Sequence, residues 1–200
     1  LAGGSAAVTA RGVCWGTLAE PTLADHVTVD GAGTGTFTSS LAGLFPGITY
    51  HVRAYATNAF GTRYGDDHAF TTVIPTGDGI WTNANGGSWP APGNWDAYTL
   101  GSGTGRTANF GTLDLTAQAT VTLDGARTIG HLVFGDTAAS HNWIVNTGSG
   151  GPLTLDVASG SPTVTVNNQT TTLATVLAGT TGLAKDGSGT LAVTTQATLT

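Results

Sequence analysis

Residues 121–134 read Val-Thr-Leu-Asp-Gly-Ala-Arg-Thr-Ile-Gly-His-Leu-Val-Phe. Apolar residues alternate with other residues at both ends of this segment, and an Asp-Gly pair stands between them. Alternation with period two is typical of short β-strands with one buried face, whereas Asp-Gly favours a tight turn. The segment therefore predicts two short strands, one around Val121 and Leu123 and the other around Leu132 and Phe134.

The same pattern continues to the end of the chain. Short apolar pairs recur about every ten residues and are separated by Gly, Asn, Asp and Ser. Regular short strands with turn signals fit either a sandwich or barrel, or a solenoid in which successive coils stack. Abundant Thr, scarce charge and small residues at the turns favour the solenoid. The further pairs are Ile144 with Val145, Leu153 with Leu155, Val164 with Val166, Val176 with Leu177, and Leu191 with Val193.

One part of this region resembles a known family. Residues 182–193 read Gly-Leu-Ala-Lys-Asp-Gly-Ser-Gly-Thr-Leu-Ala-Val, which is similar to the Gly-Leu-x-Lys-x-Gly-x-Gly-Thr-Leu-x-Leu core of autotransporter-associated β-strand repeats. The upstream order of Trp-Thr-Asn, Ser-Trp, Asn-Trp and Ala-Asn-Phe resembles the stretch that precedes such repeats in large bacterial surface proteins. The resemblance implies a right-handed parallel β-helix over residues 80–200.

The composition changes around Pro75, where a strand-like run gives way to Pro and Gly. This change predicts one module over residues 1–74, a linker over 75–79 and a second module over 80–200. In the first module, residues 50–56 alternate in polarity, which suits a half-buried antiparallel strand. A turn at residues 58–61 and a returning strand over 62–72 are expected to follow.

Residues 44–58 of the first module, read with Phe70-Thr71-Thr72, resemble fibronectin type III-like repeats of secreted bacterial proteins. In that family a Leu-x-Pro-x-x-x-Tyr corner precedes the sixth strand, and the tyrosine hydroxyl bonds back to the backbone; Tyr50 matches it here. Residues 11–15 resemble the third strand and residues 35–41 the fifth. The resemblance covers residues 8–73 without the first strands, so it implies a partial β-sandwich with poorly covered apolar surface.

The charge balance excludes several partners. The chain has six Lys and Arg residues against twelve Asp and Glu residues, and its net charge of −6 provides no basic surface for nucleic acid or anionic membranes. Three residue types that favour helices are scarce, with one Glu, one Lys and no Met, so an all-β fold is expected. No apolar run is long enough for a transmembrane helix. Because the chain begins with Leu1 and lacks a signal peptide, we expect it to be a segment of a longer protein.

No catalytic, cofactor or metal site is predicted. The single Cys14 fits a buried apolar position, and the five histidines are scattered without ligand spacing. Asp30 and the Asp66-Asp67-His68 cluster supply a few oxygens, but neither forms a recognisable calcium loop. The seven Asp residues of the second module mostly precede Gly or end strands, which is typical of turns and not of paired glycosidase carboxylates.

Three tryptophans, Trp81, Trp89 and Trp95, lie in a stretch rich in Gly, Pro and Asn. If exposed, their indoles could stack on sugar rings, which makes them the candidate carbohydrate-binding residues. If buried, they would cover the open end of the first coil.

These patterns predict a non-catalytic, structural or adhesin-like scaffold region of a secreted or cell-surface bacterial protein. Its expected partners are extracellular glycans or other surface proteins. The alternative is a carbohydrate-binding accessory region of a secreted polysaccharide-degrading enzyme, which binding to immobilised glycans would identify.

Overall fold

The computed structural model describes residues 6–195 and 197–199 and is all-β within them. The chain divides into two compact units, Leu1–Val73 and Ile74–Thr200. Residues 76–77 and 79–80 pair with strands of the second unit.

The first unit contains five strands: β1 Ala10–Gly16, β2 His26–Val27, β3 Thr49–Asn58, β4 Gly61–Tyr64 and β5 His68–Thr71. The second unit contains two single-turn 3-10 helices, Pro92–Asn94 and Asp96–Tyr98, and the following strands: β6 Thr76–Gly77, β7 Gly79–Ile80, β8 Gly86–Ser88, β9 Leu100–Gly101, β10 Gly103–Phe110, β11 Ala119–Thr122, β12 Arg127–Phe134, β13 Trp143–Asn146, β14 Leu153–Leu155, β15 Thr163–Val166, β16 Thr170–Ala174, β17 Leu177–Gly179, β18 Ala184–Asp186, β19 Thr190–Val193 and β20 Ala197–Leu199.

The first unit is built on one antiparallel sheet. Its order is β2-β1-β3-β4, and β5 pairs with the first half of β3. The predicted strand around Tyr50 and the turn after it are confirmed, since Asn58 and Gly61 are register partners at the β3–β4 turn. The predicted returning strand is interrupted between β4 and β5, at residues 65–67.

The fibronectin type III-like sandwich is not confirmed. Within residues 6–73 the structure contains this one sheet, and the predicted strand over residues 35–41 is irregular. Gly31, Gly33 and Gly35 have φ angles of 101°, 79° and 108°, which interrupt extended backbone just before that stretch. The tyrosine corner itself is present, because the backbone N–H of Phe45 donates to the Tyr50 hydroxyl at 3.1 Å.

Replacing Tyr50 by Phe tests the contribution of this corner. Tyr50 is 6% exposed, so the lost hydrogen bond is not simply replaced by water. We expect the first unit to lose about 1 kcal/mol of unfolding free energy. Chemical denaturation followed by the ¹H–¹⁵N NMR peak of the Trp15 indole, which reports on the first unit, measures the loss. Thr49→Ala, an exposed change on the same strand, is the control, and equal stability of Tyr50→Phe and the parent would contradict the assigned role.

The second unit is a parallel β-solenoid of about five coils, as the strand pattern predicted. On one face, β8, β11, β13, β16 and β19 form a five-stranded parallel sheet with one strand from each coil. The second face stacks β7, β10, β12, β15 and β18. The third face joins the start of β12 to β14, β17 and β20.

Inward-facing residues of successive coils lie directly above one another. Val121, Val145, Leu173 and Val193 are successive register partners, and the first three are fully buried. On the next face Phe110 stacks on Phe134 with a ring-centroid separation of 4.9 Å. Stacking of this kind gives a linear core in which each coil covers the next.

Gly130 allows two coils to approach closely in the middle of β12. A Cβ at this position would lie 2.5 Å from the Cα of Gly105 on the preceding coil. We therefore expect Gly130→Ala to destabilise the second unit by about 2 kcal/mol, because the coils must separate to admit the methyl group. Thermal unfolding measures the effect. Gly93→Ala is the matched control, since a Cβ there meets nothing within 4 Å, and an equal effect of the two changes would contradict the packing argument.

Candidate functional site

The three predicted carbohydrate-binding tryptophans lie inside the solenoid. Trp81 and Trp89 are fully buried and Trp95 is 3% exposed. Their rings surround Phe110 of the second coil at centroid distances of 5.5, 5.2 and 5.6 Å. Each indole N–H donates to a backbone carbonyl, of Asn83, Gly101 and Trp89 respectively. The rings therefore do not form an exposed platform for a sugar. They are buried because the first coil has an apolar end that they cover.

The asparagines beside these tryptophans hold turns. The side-chain amide of Asn83 donates to the side-chain oxygen of Asn94 at 2.9 Å, and the Asn94 amide donates to the carbonyl of Ser88 at 2.9 Å. These bonds tie the ends of the first coil together. The asparagines are thus occupied by the fold itself.

Asp136 is a buried carboxylate enclosed by hydrogen bonds. It is 1% exposed and accepts the backbone N–H groups of Leu115, Ser140 and His141 at 3.0, 2.8 and 2.8 Å, as well as the Ser140 hydroxyl at 2.9 Å. Burial alone would raise the pKa of Asp136, but these hydrogen bonds outweigh burial and lower the pKa well below its usual range. The carboxylate therefore orders the loop between β12 and β13.

Asp124 has a similar role at another turn. It accepts the hydroxyls of Ser88 and Thr122 at 2.5 and 2.6 Å and the backbone N–H of Ser149 at 2.9 Å. These bonds lower the pKa of Asp124 to about 2. Ser88, Asp124 and Ser149 belong to three successive coils. The Asp124 carboxylate therefore links neighbouring coils.

The polar clusters of the first unit are also paired internally. The Oδ2 atom of Asp67 contacts the His51 imidazole at 2.8 Å and accepts the Glu20 backbone N–H at 3.0 Å, and the hydrogen bond from Glu20 leads the lowering of its pKa. The buried Oδ1 atom has no partner among the described residues. Arg53 forms an ion pair with the Glu20 carboxylate at 2.6 Å. These contacts hold the loop after β1 against the sheet.

Asp30 and Cys14, the two remaining residues considered for a metal or thiol site, also contact other parts of the first unit. Asp30 accepts the hydroxyls of Ser39 and Thr28. Cys14 is fully buried, and burial raises the pKa of its thiol. Across residues 6–195 and 197–199, no three His, Cys, Asp or Glu side chains come together as a metal site would require.

A groove of about 690 Å³ lies on the first unit, at the end of β1. Its walls include Trp15, Asp25, His26 and Tyr50, and the rings of Trp15 and His26 stack at 5.4 Å with an interplanar angle of 24°. This groove was not among the sites predicted from the sequence. Trp15 and His26 are 11 residues apart in the chain and become neighbours only through the register of β1 with β2.

The second unit is thus a parallel solenoid whose carboxylates order its turns. Over 139 residues, 69% of this chain, the sequence is 37% identical to the adhesin BmaC autotransporter of Brucella suis biovar 1 (strain 1330). This chain spans 4% of the length of that protein. No family model matches the chain, and no solved structure matches it. A search of the described residues finds no helix long and apolar enough to cross a membrane.

Proposed function

We propose that the chain is a non-catalytic, adhesin-like scaffold region of a bacterial cell-surface protein. The observation that carries this proposal is the parallel solenoid together with the 37% identity to an autotransporter adhesin. A solenoid spaces and displays surfaces along its length, because each coil contacts only its neighbours. Such a scaffold suits a protein that presents binding surfaces outside the cell.

The distribution of the carboxylates supports a non-catalytic role. Asp136 and Asp124 are occupied by hydrogen bonds from their own turns, and Asp67 is occupied by His51 and Glu20. Catalysis by paired carboxylates needs two such groups facing one bond. We therefore expect no turnover of polysaccharides, and release of reducing ends in a broad polysaccharide screen would contradict this part of the proposal.

The finer assignments belong to the same proposal. We expect the coils to wind in a right-handed sense, as in autotransporter-associated repeats, and the first unit to derive from a fibronectin type III-like repeat that retains the tyrosine corner. A crystal structure with left-handed coils would overturn the first assignment. A first unit that aligns with a different antiparallel fold would overturn the second.

Cell-surface exposure is tested by labelling intact bacteria that produce the protein. An antibody raised against residues 74–200 should bind intact cells as strongly as permeabilised cells. A cytoplasmic protein of the same bacterium provides the control, since its antibody should bind only after permeabilisation. Binding that requires permeabilisation would overturn the proposed location.

A further inference from the structure

The groove on the first unit contains polar groups that the fold leaves unsatisfied. Four of the five tryptophans, Trp81, Trp89, Trp95 and Trp143, donate their indole N–H to backbone carbonyls. The indole N–H of Trp15 has no acceptor among the described residues. Trp15 is 8% exposed and lines the groove, and its ring nitrogen keeps some access to solvent.

Acceptors lie on the same surface. The Oδ2 atom of Asp25 accepts the backbone N–H and hydroxyl of Thr22, whereas Oδ1 accepts no hydrogen bond within the described residues. This Oδ1 atom lies beside Gly16, in the wall of the groove. The imidazole of His26 is exposed and stacks on Trp15. It has no hydrogen-bond partner among the described residues.

The charge of the groove restricts its ligand. The described residues that line it include no Lys or Arg, and the one carboxylate among them, Asp25, disfavours anionic ligands such as phosphates, sulfated glycans or uronates. The ligand must offer an acceptor to the Trp15 N–H, a donor to Asp25 Oδ1 and an apolar face to the His26 ring. A sugar combines these features, since each hydroxyl both donates and accepts and the ring has C–H faces that pack on aromatic rings.

We propose that this groove binds a neutral glycan through Trp15, Asp25 and His26. The proposal names a partner class for the adhesin-like role and rests on that role for its biological meaning. It also moves the candidate sugar site from the buried tryptophans of the solenoid to the first unit.

Indole N–H resonances in ¹H–¹⁵N NMR spectra of the full chain test the site directly. Trp15→Phe should remove one of five indole peaks, and in the parent that peak should exchange with solvent fastest. Titration with neutral oligosaccharides of glucose, galactose, mannose or N-acetylglucosamine at millimolar concentration should shift the Trp15 peak and leave the other four in place. Asp25→Asn, which keeps the side-chain shape, should weaken binding about tenfold through loss of one charged hydrogen bond.

Filling the groove provides a second variant that removes none of the binding groups. A Cβ at Gly16 meets only the Asp25 side chain, at 3.7 Å or more, so a side chain can start there without a clash. Gly16→Leu should abolish binding, and a circular dichroism spectrum and melting temperature equal to those of the parent establish that the variant folds. A slowly exchanging Trp15 peak, or a glycan panel that leaves it unmoved, overturns the proposal. A shift caused by an oligoproline peptide and by no sugar overturns the assignment to glycans. Each of these results leaves the surface-labelling result intact, so failure of the site is distinguishable from failure of the proposed function.

Discussion

Replacing Phe110 by Ala is expected to lower the unfolding free energy of the second unit by about 4 kcal/mol, because a fully buried ring is removed from a rigid aromatic core. Phe110 contacts the rings of Trp81, Trp89, Trp95, Phe134 and Trp143. The four neighbouring indoles are each held by a hydrogen bond to a backbone carbonyl, which restricts their movement into the resulting space. Denaturation followed by the fluorescence of the four tryptophans of this unit measures the change.

Ile80→Ala is the matched control for this prediction. Ile80 is on the neighbouring strand β7 and is the register partner of Asn109, but its side chain is 43% exposed. Its truncation should cost less than about 1 kcal/mol. Similar losses for Phe110→Ala and Ile80→Ala would mean that the aromatic cluster is not the core of the first two coils.

Asp136→Asn is expected to destabilise the second unit by about 3 kcal/mol at neutral pH. The amide keeps the size of the carboxylate but replaces one accepting oxygen by a donor. In either orientation of the amide its NH₂ group faces backbone N–H donors, those of Leu115 and Ala138 at the Oδ1 position or those of Ser140 and His141 at the Oδ2 position. Chemical denaturation at pH 7 measures the loss, and Asp114→Asn, an exposed carboxylate of the same unit, is the control.

The stability that Asp136 provides is expected to decrease as the pH falls. The pKa of Asp136 is lower in the folded chain than the value of about 3.9 expected when unfolded. Its stabilising effect is therefore complete above about pH 5 and is lost as the pH falls towards the folded pKa. The parent should lose stability more steeply than Asp136→Asn in this acidic range. Parallel curves for the two proteins would show that Asp136 is not held as a carboxylate.

The solenoid was predictable because its strands repeat a local pattern. The inward residues Val121 and Val145 each belong to a predicted apolar pair, so their common role is visible without coordinates. Leu173, their partner on the next coil, stands singly beside threonines, and its strand was not predicted. The coil lengths were less visible, because insertions differ between coils. β12 crosses two faces as one strand, whereas the next coil divides into β14 and β15 around a loop that contains Gly160 and Pro162.

The first unit was predictable only where hydrogen bonds are local. The hairpin at Asn58 and the Tyr50 corner are formed by residues within a few positions of each other. The conformation of residues 35–41 depends on their contacts with the rest of the first unit. Their alternation alone predicted a strand, which the structure does not contain. Strands of two residues such as β6 and β7 were not predicted, because they have too few side chains to show a period.

The candidate sites could not be predicted from the sequence, because they depend on contacts between residues that are distant in the chain. Tryptophans at short spacing indicate aromatic clustering, but composition does not distinguish a buried cluster from an exposed one. Only the stacking of the coils shows that Trp89 is buried. The groove depends on Trp15 and Asp25 meeting at the end of β1. Its only sequence signal was a tryptophan outside the solenoid, and the absence of an internal acceptor for its N–H could be recognised only in three dimensions.

The stacking of coils in parallel register is tested most directly by disulfide cross-linking in a Cys14→Ala background. Ile144 and Thr172 are outward-facing register partners on β13 and β16, where neighbouring strands lie about 4.8 Å apart, within disulfide range. The Ile144→Cys, Thr172→Cys protein should form an intrachain disulfide under mild oxidation. The Thr120→Cys, Thr172→Cys protein should not, because an intervening coil separates its cysteines by about 10 Å. Free thiols in the first protein, or cross-linking in the second, would contradict the solenoid.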